Sequence, residues 1–425
     1  MNKNDMAWEK LFEKYDIIKK IEENGMFEIS AKDINTEREA RLMTKFDHRV
    51  NLPLIFERNN LSILPITRGS YLISNFDTYK SFKNITQEVT KVRFPDYITS
   101  IDYENITSEA MAINCAYVSG ILGDFIEDEE IVPTVSGRMS SEKFNFRINN
   151  IKNNEMLEIN VVNSQIEIDG GYEGLESLSL IEAKNVLSDD FIIRQLYYPF
   201  RLWNEKTDKQ VKSIFMVYSN GIYNLYEYKF EDIKNYNSLK LVKQKNYTIE
   251  NVNIEINDIL EILKETIIVK EPEVPFPQAD NFYRIINLCE LLNVNEMSKD
   301  EITMNYDFNP RQTNYYTDAG RYLGLIDKKA EDGVIKYFLT KKGKKIFRLK
   351  YRERQMKYVE LILSHKPFNE TFKMCLRTGE IPEKNDVIKV MEESGVYNVK
   401  SQSTYKRRAS TINGWLNWII QLTKI

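Results

Sequence analysis

The stretch KEPEVPFPQA at 270–279 constrains this chain most. Each of its three prolines lacks a backbone N–H and holds φ at about −65°, so neither a helix nor a central strand runs through it. The sequence differs on its two sides. Short runs of period-two alternation dominate before it, and long stretches of helical spacing come after it. Charge divides too: residues 276–425 hold 26 Lys+Arg against 18 Asp+Glu, a net +8, which leaves −12 in the front part of a chain of net charge −4. An acidic front and a basic back imply that contact with a polyanion is concentrated behind the prolines.

At 425 residues the chain exceeds what one hydrophobic core usually serves. The expected division is a front α/β domain at 1–270, a helical domain at 271–350 and a second helical module at 351–425. No run approaches the roughly 18 apolar residues of a membrane span. The first 16 residues, MNKNDMAWEKLFEKYD, are too charged for a secretory signal, so a cytoplasmic protein is expected. Two histidines, His48 and His365, and three scattered cysteines leave no zinc spacing. Catalysis would have to use carboxylates, lysine or hydroxyls.

In the front part, spacing predicts a helix from Trp8 to Glu23, strands and turns over 29–49 and 61–76, and a buried helix over 107–126 with Ala110, Ile113, Ala116, Tyr117 and Ile121 on one face. Strands are expected next at 143–149, 156–162, 164–169 and 177–184, with Gly170-Gly171 read as a turn. A helix is expected from Asp189 to Trp203, capped by Ser188 or Asp189. A hairpin turns at Ser219-Asn220-Gly221.

The chemistry sits at Asp169, which would close a strand at the Gly-Gly turn, and at Glu182 and Lys184 on the next strand. Residues i and i+2 share one face of a strand, so Glu182 and Lys184 project together. With Asp169 opposite, two carboxylates and the Ala183 carbonyl would form an all-oxygen site for Mg²⁺. Such an ion activates water and neutralises charge on a phosphodiester in its transition state, and Lys184 would add positive charge beside it. A Glu-x-Lys on a strand is equally an ordinary solvated charge pair.

The arrangement resembles the PD-(D/E)xK nuclease superfamily, in which an aspartate and a loop precede (Asp/Glu)-x-Lys on a following strand. Asp169, Glu182 and Lys184 match, with Ile168 where the proline would stand. The resemblance implies an α+β core with a mixed sheet flanked by helices, and it offers Gln195 on the next helix and Glu109 on an earlier one as further site residues. Thr404-x-Lys406-Arg407-Arg408-Ala409-Ser410-Thr411 and Trp415-x-x-Trp418 resemble the end of certain type II restriction endonucleases. Similar likenesses run through Arg41 to Arg49, Leu64 to Tyr71 and Gly137 to Phe144. Lys45, Arg49, Arg68 and Arg138 are candidate DNA contacts there, with buried ion pairs the simpler expectation for each. The activity implied by the resemblance is Mg²⁺-dependent cleavage of double-stranded DNA at a specific site. It also implies a possible homodimer, and a cognate methyltransferase that reads the same site without needing to bind this chain. A repair or junction nuclease of the same fold, or a DNA-binding regulator without catalysis, are the alternatives.

Behind the prolines, helices at 280–294, 298–307 and 309–326 and a hairpin turned at Glu331-Asp332-Gly333 fit the winged-helix plan. The third helix opens at Asn309-Pro310 with Arg311, Gln312, Thr313, Asn314 and Tyr315, groups that read base edges, and Arg321 lies farther along. Lys341, Lys342, Lys344 and Lys345 are expected on the wing, against phosphates. A second helix-turn-helix pattern ends with Ser403, Thr404, Lys406, Arg407 and Arg408 at a helix start, and with Trp415 and Trp418 as packing.

Overall fold

The computed structural model describes residues 3–249, 253–306 and 308–424 of an α+β protein. The chain opens with two helices, Lys3–Tyr15 and Ile17–Asn24, where spacing predicts one. Asp16 separates them in the left-handed conformation, φ 50°. They pack on a three-stranded antiparallel sheet of Phe27–Ser30, Ser70–Ser74 and Ser62–Pro65. The expected strands between 31 and 49 are short helices instead. Ser30 and Asp33 form a capping box that starts Ala31–Ile34, and Ala40–Met43 adds another turn.

A seven-stranded mixed sheet forms the centre. Its order is Val89–Lys91, Leu239–Thr248, Ile222–Phe230, Gln210–Ser219, Ser177–Lys184, Gln165–Glu173, Val132–Ser140. Ser177–Lys184 lies parallel to Gln210–Ser219 and antiparallel to Gln165–Glu173. Layers cover both of its faces, so it is buried almost throughout, its polar Ser177, Ser179 and Glu182 included. One face carries the helices Glu109–Val118 and Ile121–Ile126. These replace the single helix expected over 107–126, because Gly120 breaks it at φ 82°, and Ala110 is exposed rather than inward. The other face carries the helix Arg194–Asn204 and the hairpin of Lys143–Asn149 and Met156–Val162. The hairpin turn at Asn220-Gly221 has φ of 52° and 75°, the pair of positive values that a tight two-residue turn requires.

The helix expected from Asp189 starts only at Arg194. Asp190–Ile192 is a strand paired with Tyr79–Ser81, which buries Phe191 and Ile192. Neither Asp189 nor Ser188 is therefore a cap.

Beyond the prolines come the helices Phe282–Val294, Lys299–Asn305 and Pro310–Tyr322 and the hairpin Ile326–Glu331/Val334–Leu339, joined by the short strand Met297–Ser298. Asp307, at the end of the second expected helix, lies outside the described residues. Lys341–Phe347 is a helix capped by Thr340, so the four lysines expected on the hairpin stand on this helix instead. Four more helices complete the back: Tyr351–Leu363, Lys366–Thr378, Lys384–Glu393 and Gln402–Gln421. One continuous apolar core runs from Ile254 to Leu422. The proline stretch is part of it, with Phe276 and Ala279 buried and Trp415 Nε1 donating to the Ala279 carbonyl at 2.7 Å. A Cβ on Gly414 would lie 2.2 Å from the Asp280 carbonyl oxygen, so only glycine fits this contact. Among the described residues, no helix is long and apolar enough to cross a membrane.

Hydrogen bonds join front to back. Asn220 pairs with Gln355, Glu290 accepts from Ser219 and Asn220, and Asn287 holds Asn185 and Leu187 just after Lys184.

Candidate active site

Gly170 and Gly171 form no turn. They lie inside the strand Gln165–Glu173, opposite Ile181 and Leu180. Their missing side chains let neighbours approach: a Cβ on Gly171 would sit 2.6 Å from Val135 Cβ, and one on Gly170 would be 3.3 Å from Ile113. The register against Val132–Ser140 slips here, with Gly171 opposite Val135 but Ile168 opposite Gly137. Three steps on one strand meet two on the other, a β-bulge at Asp169-Gly170, and bulges re-aim side chains.

The same irregularity ends the ladder to the neighbouring strand at the Gly170–Ile181 pair. Past that point the Asp169 side chain takes over the acceptor role, and its Oδ2 receives the Ala183 N–H at 2.8 Å. A strand residue's N–H and C=O face the same edge, which turns the Ala183 carbonyl towards Asp169 as well. Ile181 and Ala183 point to the Glu109 helix, and Glu182 and Lys184 to the opposite side. There Glu182 Oε1 accepts from Lys184 Nζ at 2.5 Å and from Gln195 Nε2 at 2.7 Å. The structure thus brings Asp169, Glu182, Lys184, Gln195 and Glu109 to one cleft of about 730 Å³.

Their electrostatics are those of a buried cluster. Burial pushes the Glu182 carboxyl up to about 7, Lys184 opposes that rise, and Asp169 adds to it. Burial works against the Lys184 charge, but Glu182, Asp47 and Glu109 more than offset it, and the ammonium is held well above its ordinary range. Glu109 is raised by burial, with Lys184 pulling it down and Asp169 pushing it up. Asp47 was not among the sequence candidates, although its charge acts on both Glu182 and Lys184. Its signal was the density of charged residues from Arg41 to Arg49 in a segment that also supplies buried Met43 and Phe46.

The cleft has an acidic floor and a basic rim. Arg41, Lys45, Arg68, Arg138 and Arg194 line it. Lys45 and Arg138 are largely exposed and paired only loosely, with Asp47 at 4.0 Å and Glu167 at 3.2 Å. Arg68 is exposed as well, so the simpler expectation of buried ion pairs fails for these three. Arg49 is also exposed, beside Asp190 and over the Tyr79 ring.

Asp169 Oδ2 and Glu182 Oε1 are engaged, which leaves Asp169 Oδ1 and Glu182 Oε2 without partners among the described residues. Two carboxylates and a peptide carbonyl are a hard, all-oxygen set, which suits an ion that keeps several of its waters, as Mg²⁺ does. Among the described residues no group of three or more His, Cys, Asp or Glu is placed to hold a metal on its own.

Behind the prolines the candidates separate by burial. Thr313 is fully buried, bonded to Thr303 Oγ1 at 2.7 Å, and faces no solvent. Gln312 closes a capping box on Asn309, and Arg321 pairs with Asp318 at 3.0 Å. Arg311 and Asn314 are exposed, and Tyr315 is half-buried. Lys341, Ser403, Lys406 and Arg407 are exposed, while Thr404 and Arg408 are half-buried. Burial and Arg407 lower the pKa of Arg408, against the opposing charge of Asp318 on the Pro310–Tyr322 helix.

Three family models cover most of the chain. Residues 5–73, 74–248 and 284–424 match domains of unknown function DUF6996, DUF6997 and DUF7226 respectively. The cleft lies between the first two matched segments, with Arg41, Lys45 and Asp47 on one wall and Asp169, Glu182 and Lys184 on the other. No curated protein and no solved structure matches the chain.

Proposed function

We propose that the chain is a Mg²⁺-dependent endonuclease of the PD-(D/E)xK kind that cuts double-stranded DNA at specific sites, in the manner of a type II restriction enzyme. The observation that carries this reading is the convergence of Asp169, Glu182 and Lys184 where the strand ladder ends. A surface charge pair would be solvated. This one is buried at a bulge, with a glutamate raised to about 7, an arrangement that costs stability and that functional sites tolerate. A regulator without catalysis would have no use for it.

Bound between the two carboxylates, Mg²⁺ would lower the pKa of the attacking water and neutralise charge on the phosphoryl group. Asp169 and Glu182 would hold it through their unengaged oxygens, Oδ1 and Oε2. Lys184, beside Glu182, would supply positive charge where negative charge develops. Gln195 keeps Glu182 from rotating away. Arg41, Lys45, Arg68 and Arg138 grip phosphates on either side, and the seated strand excludes water from the floor.

The back half supplies sequence reading in this proposal. Three helices followed by a hairpin fit a winged helix, with Arg311 and Asn314 towards bases and the start of Gln402–Gln421 beside them. Cutting both strands calls for two such centres, from a homodimer or from two successive nicks.

The test is incubation of the purified protein with phage DNA, with and without Mg²⁺, alongside Asp169→Ala and Glu182→Ala. Discrete fragments whose sequenced ends share a motif, formed only with metal and only by the unaltered chain, support the proposal. Cutting confined to branched or damaged DNA would move the reading to a repair or junction nuclease. DNA binding without cutting under any of these conditions would sink the enzyme.

A further inference from the structure

A second opening, of about 330 Å³, lies at the seam between the central sheet and the helical back, with none of the Asp169 cluster in its walls. Carboxamides and aromatic rings dominate its lining. Asn84, Gln87 and Asn224 come from the sheet side and Asn281 from the start of the Phe282–Val294 helix, with the rings of Phe82, Tyr226 and Tyr283 among them. Of the charged groups in its wall, Arg284 pairs with Asp189 at 3.0 Å, and Lys424 adds a cation.

Part of the wall is fixed and part is unspent. Gln244 Oε1 accepts from the Ile85 and Thr86 N–H groups at 2.7 and 3.0 Å, and Asn246 Nδ2 donates to the Thr86 and Glu88 carbonyls, so these two amides lash the 85–88 segment to the sheet. Tyr226 donates its hydroxyl to Asn84 Oδ1 at 2.7 Å, which sets the orientation of that amide and leaves its NH₂ available. The Asn224 and Gln87 amides have no side-chain partner among the described residues. The Ser188 hydroxyl is unpartnered too, but it is sealed from the opening. Asn84 and Gln87 are exposed and Asn224 is half-buried, so these amides are open to solvent and a ligand would pair with them in place of water.

Paired donors and acceptors beside aromatic faces match the edge and face of a nucleobase. Carboxamides bond base edges two at a time, and rings stack on their planes. The volume stands at the lower end of the roughly 300–1,000 Å³ of small-molecule sites, enough for one nucleoside and too little for a dinucleotide. We infer that this opening is a nucleobase site, which takes one base against Tyr283 with its edge on the Asn224 and Asn84 amides. The base can come from a free nucleoside or from a nucleotide turned out of a duplex. In either case it touches the segment that leaves Lys184 four residues earlier, whose Leu187 N–H is held by Asn287. The site stands without the nuclease reading.

Calorimetric titration of the full chain, without metal or DNA, with adenosine, guanosine, cytidine and thymidine tests the free source. Duplexes carrying 2-aminopurine test the other, since its fluorescence rises when the base leaves the stack. The expected result is binding of at least one nucleoside, or a fluorescence rise on duplex binding. Asn224→Leu should weaken the response at least tenfold, and Asn84→Ala should weaken it less. Melting curves of the two pocket variants that overlay the unaltered protein tie the loss to the site. Absence of both responses from the unaltered protein, or responses that Asn224→Leu leaves intact, would overturn the inference.

Discussion

The front and back of the molecule bury different things. The back packs rings on rings: Trp415 stacks on Phe368 at 4.8 Å and meets Phe282 edge-on at 5.1 Å, inside one long apolar core. Its buried Arg284 and Arg354 reach residues of the front, Asp189 at 3.0 Å and Asn220 at 3.5 Å, while Arg311, Asn314, Lys406 and Arg407 face solvent. The front places Glu182 and Lys184 inside a sheet that is covered on both faces. A region that buries apolar rings gains stability from them, whereas one that buries a charged cluster forgoes stability for something else. Substitutions in the back core should therefore unfold the protein, and substitutions in the front cluster should disable it while leaving it folded.

The largest effect expected is from Trp415→Ala, at about 3–5 kcal/mol of lost stability in urea denaturation. Part of that is the cavity, and part is the Ala279 carbonyl left without its donor. A loss below about 1 kcal/mol would mean that the back core tolerates voids, and the contrast would fail. Next comes Lys184→Ala, for which DNA cleavage at saturating Mg²⁺ should slow by on the order of 10²–10³-fold. Its melting temperature should stay within a few degrees of the unaltered protein, since the lysine's burial cost disappears with its charge. A variant that unfolds would place Lys184 with the structural residues.

The legibility of this contrast in the sequence depends on what each pattern encodes. Glu182, Lys184 and Asp169 were legible because strand parity and a short spacing bring them together under almost any pairing. The Gly170-Gly171 pair was legible as a special backbone but not as a bulge, because only the approach of Val135 and Ile113 shows that the glycines make room rather than turn. The start of the helix after Lys184 was misplaced because Phe191 and Ile192 fit helical spacing equally well, and their pairing with Tyr79–Ser81 is remote in sequence. Asp47 was invisible for the same reason, since 135 residues separate it from Glu182. Behind the prolines the helices were legible in outline, but periodicity could not show that Thr313 turns inward.

A smaller effect separates two kinds of basic residue. Arg311→Ala should cost about 1–3 kcal/mol of DNA affinity and relax preference at one base pair, while Arg68→Ala should weaken all sequences alike and lower the salt dependence by about one ion. Binding titrations at several salt concentrations, on specific and random duplexes, read both. Identical signatures for the two variants would erase the division between a reading back and a gripping front.

The smallest effect has opposite signs in the two regions. Burial raises Glu182 from an ordinary 4.5 to about 7, so in the metal-free protein its contribution to stability is complete below 4.5 and is lost as pH rises through about 7. Asp258, in the helix Ile256–Glu265 that packs on the back core, is lowered from 3.8, first by the Glu255 N–H and then, against some burial, by Arg352 at 2.7 Å. Its contribution is present above 3.8 and is lost as pH falls through the lowered value. Urea denaturation across pH, in chelator, should show Glu182→Gln flattening the decline between 4.5 and about 7, and Asp258→Asn flattening the decline on the acid side. Added Mg²⁺ should reverse the first trend alone, because an ion between the carboxylates favours the charged glutamate. A Glu182→Gln profile parallel to that of the unaltered protein would mean that the front carboxylate is solvated like any other, and the distinction between the two regions would then rest on packing alone.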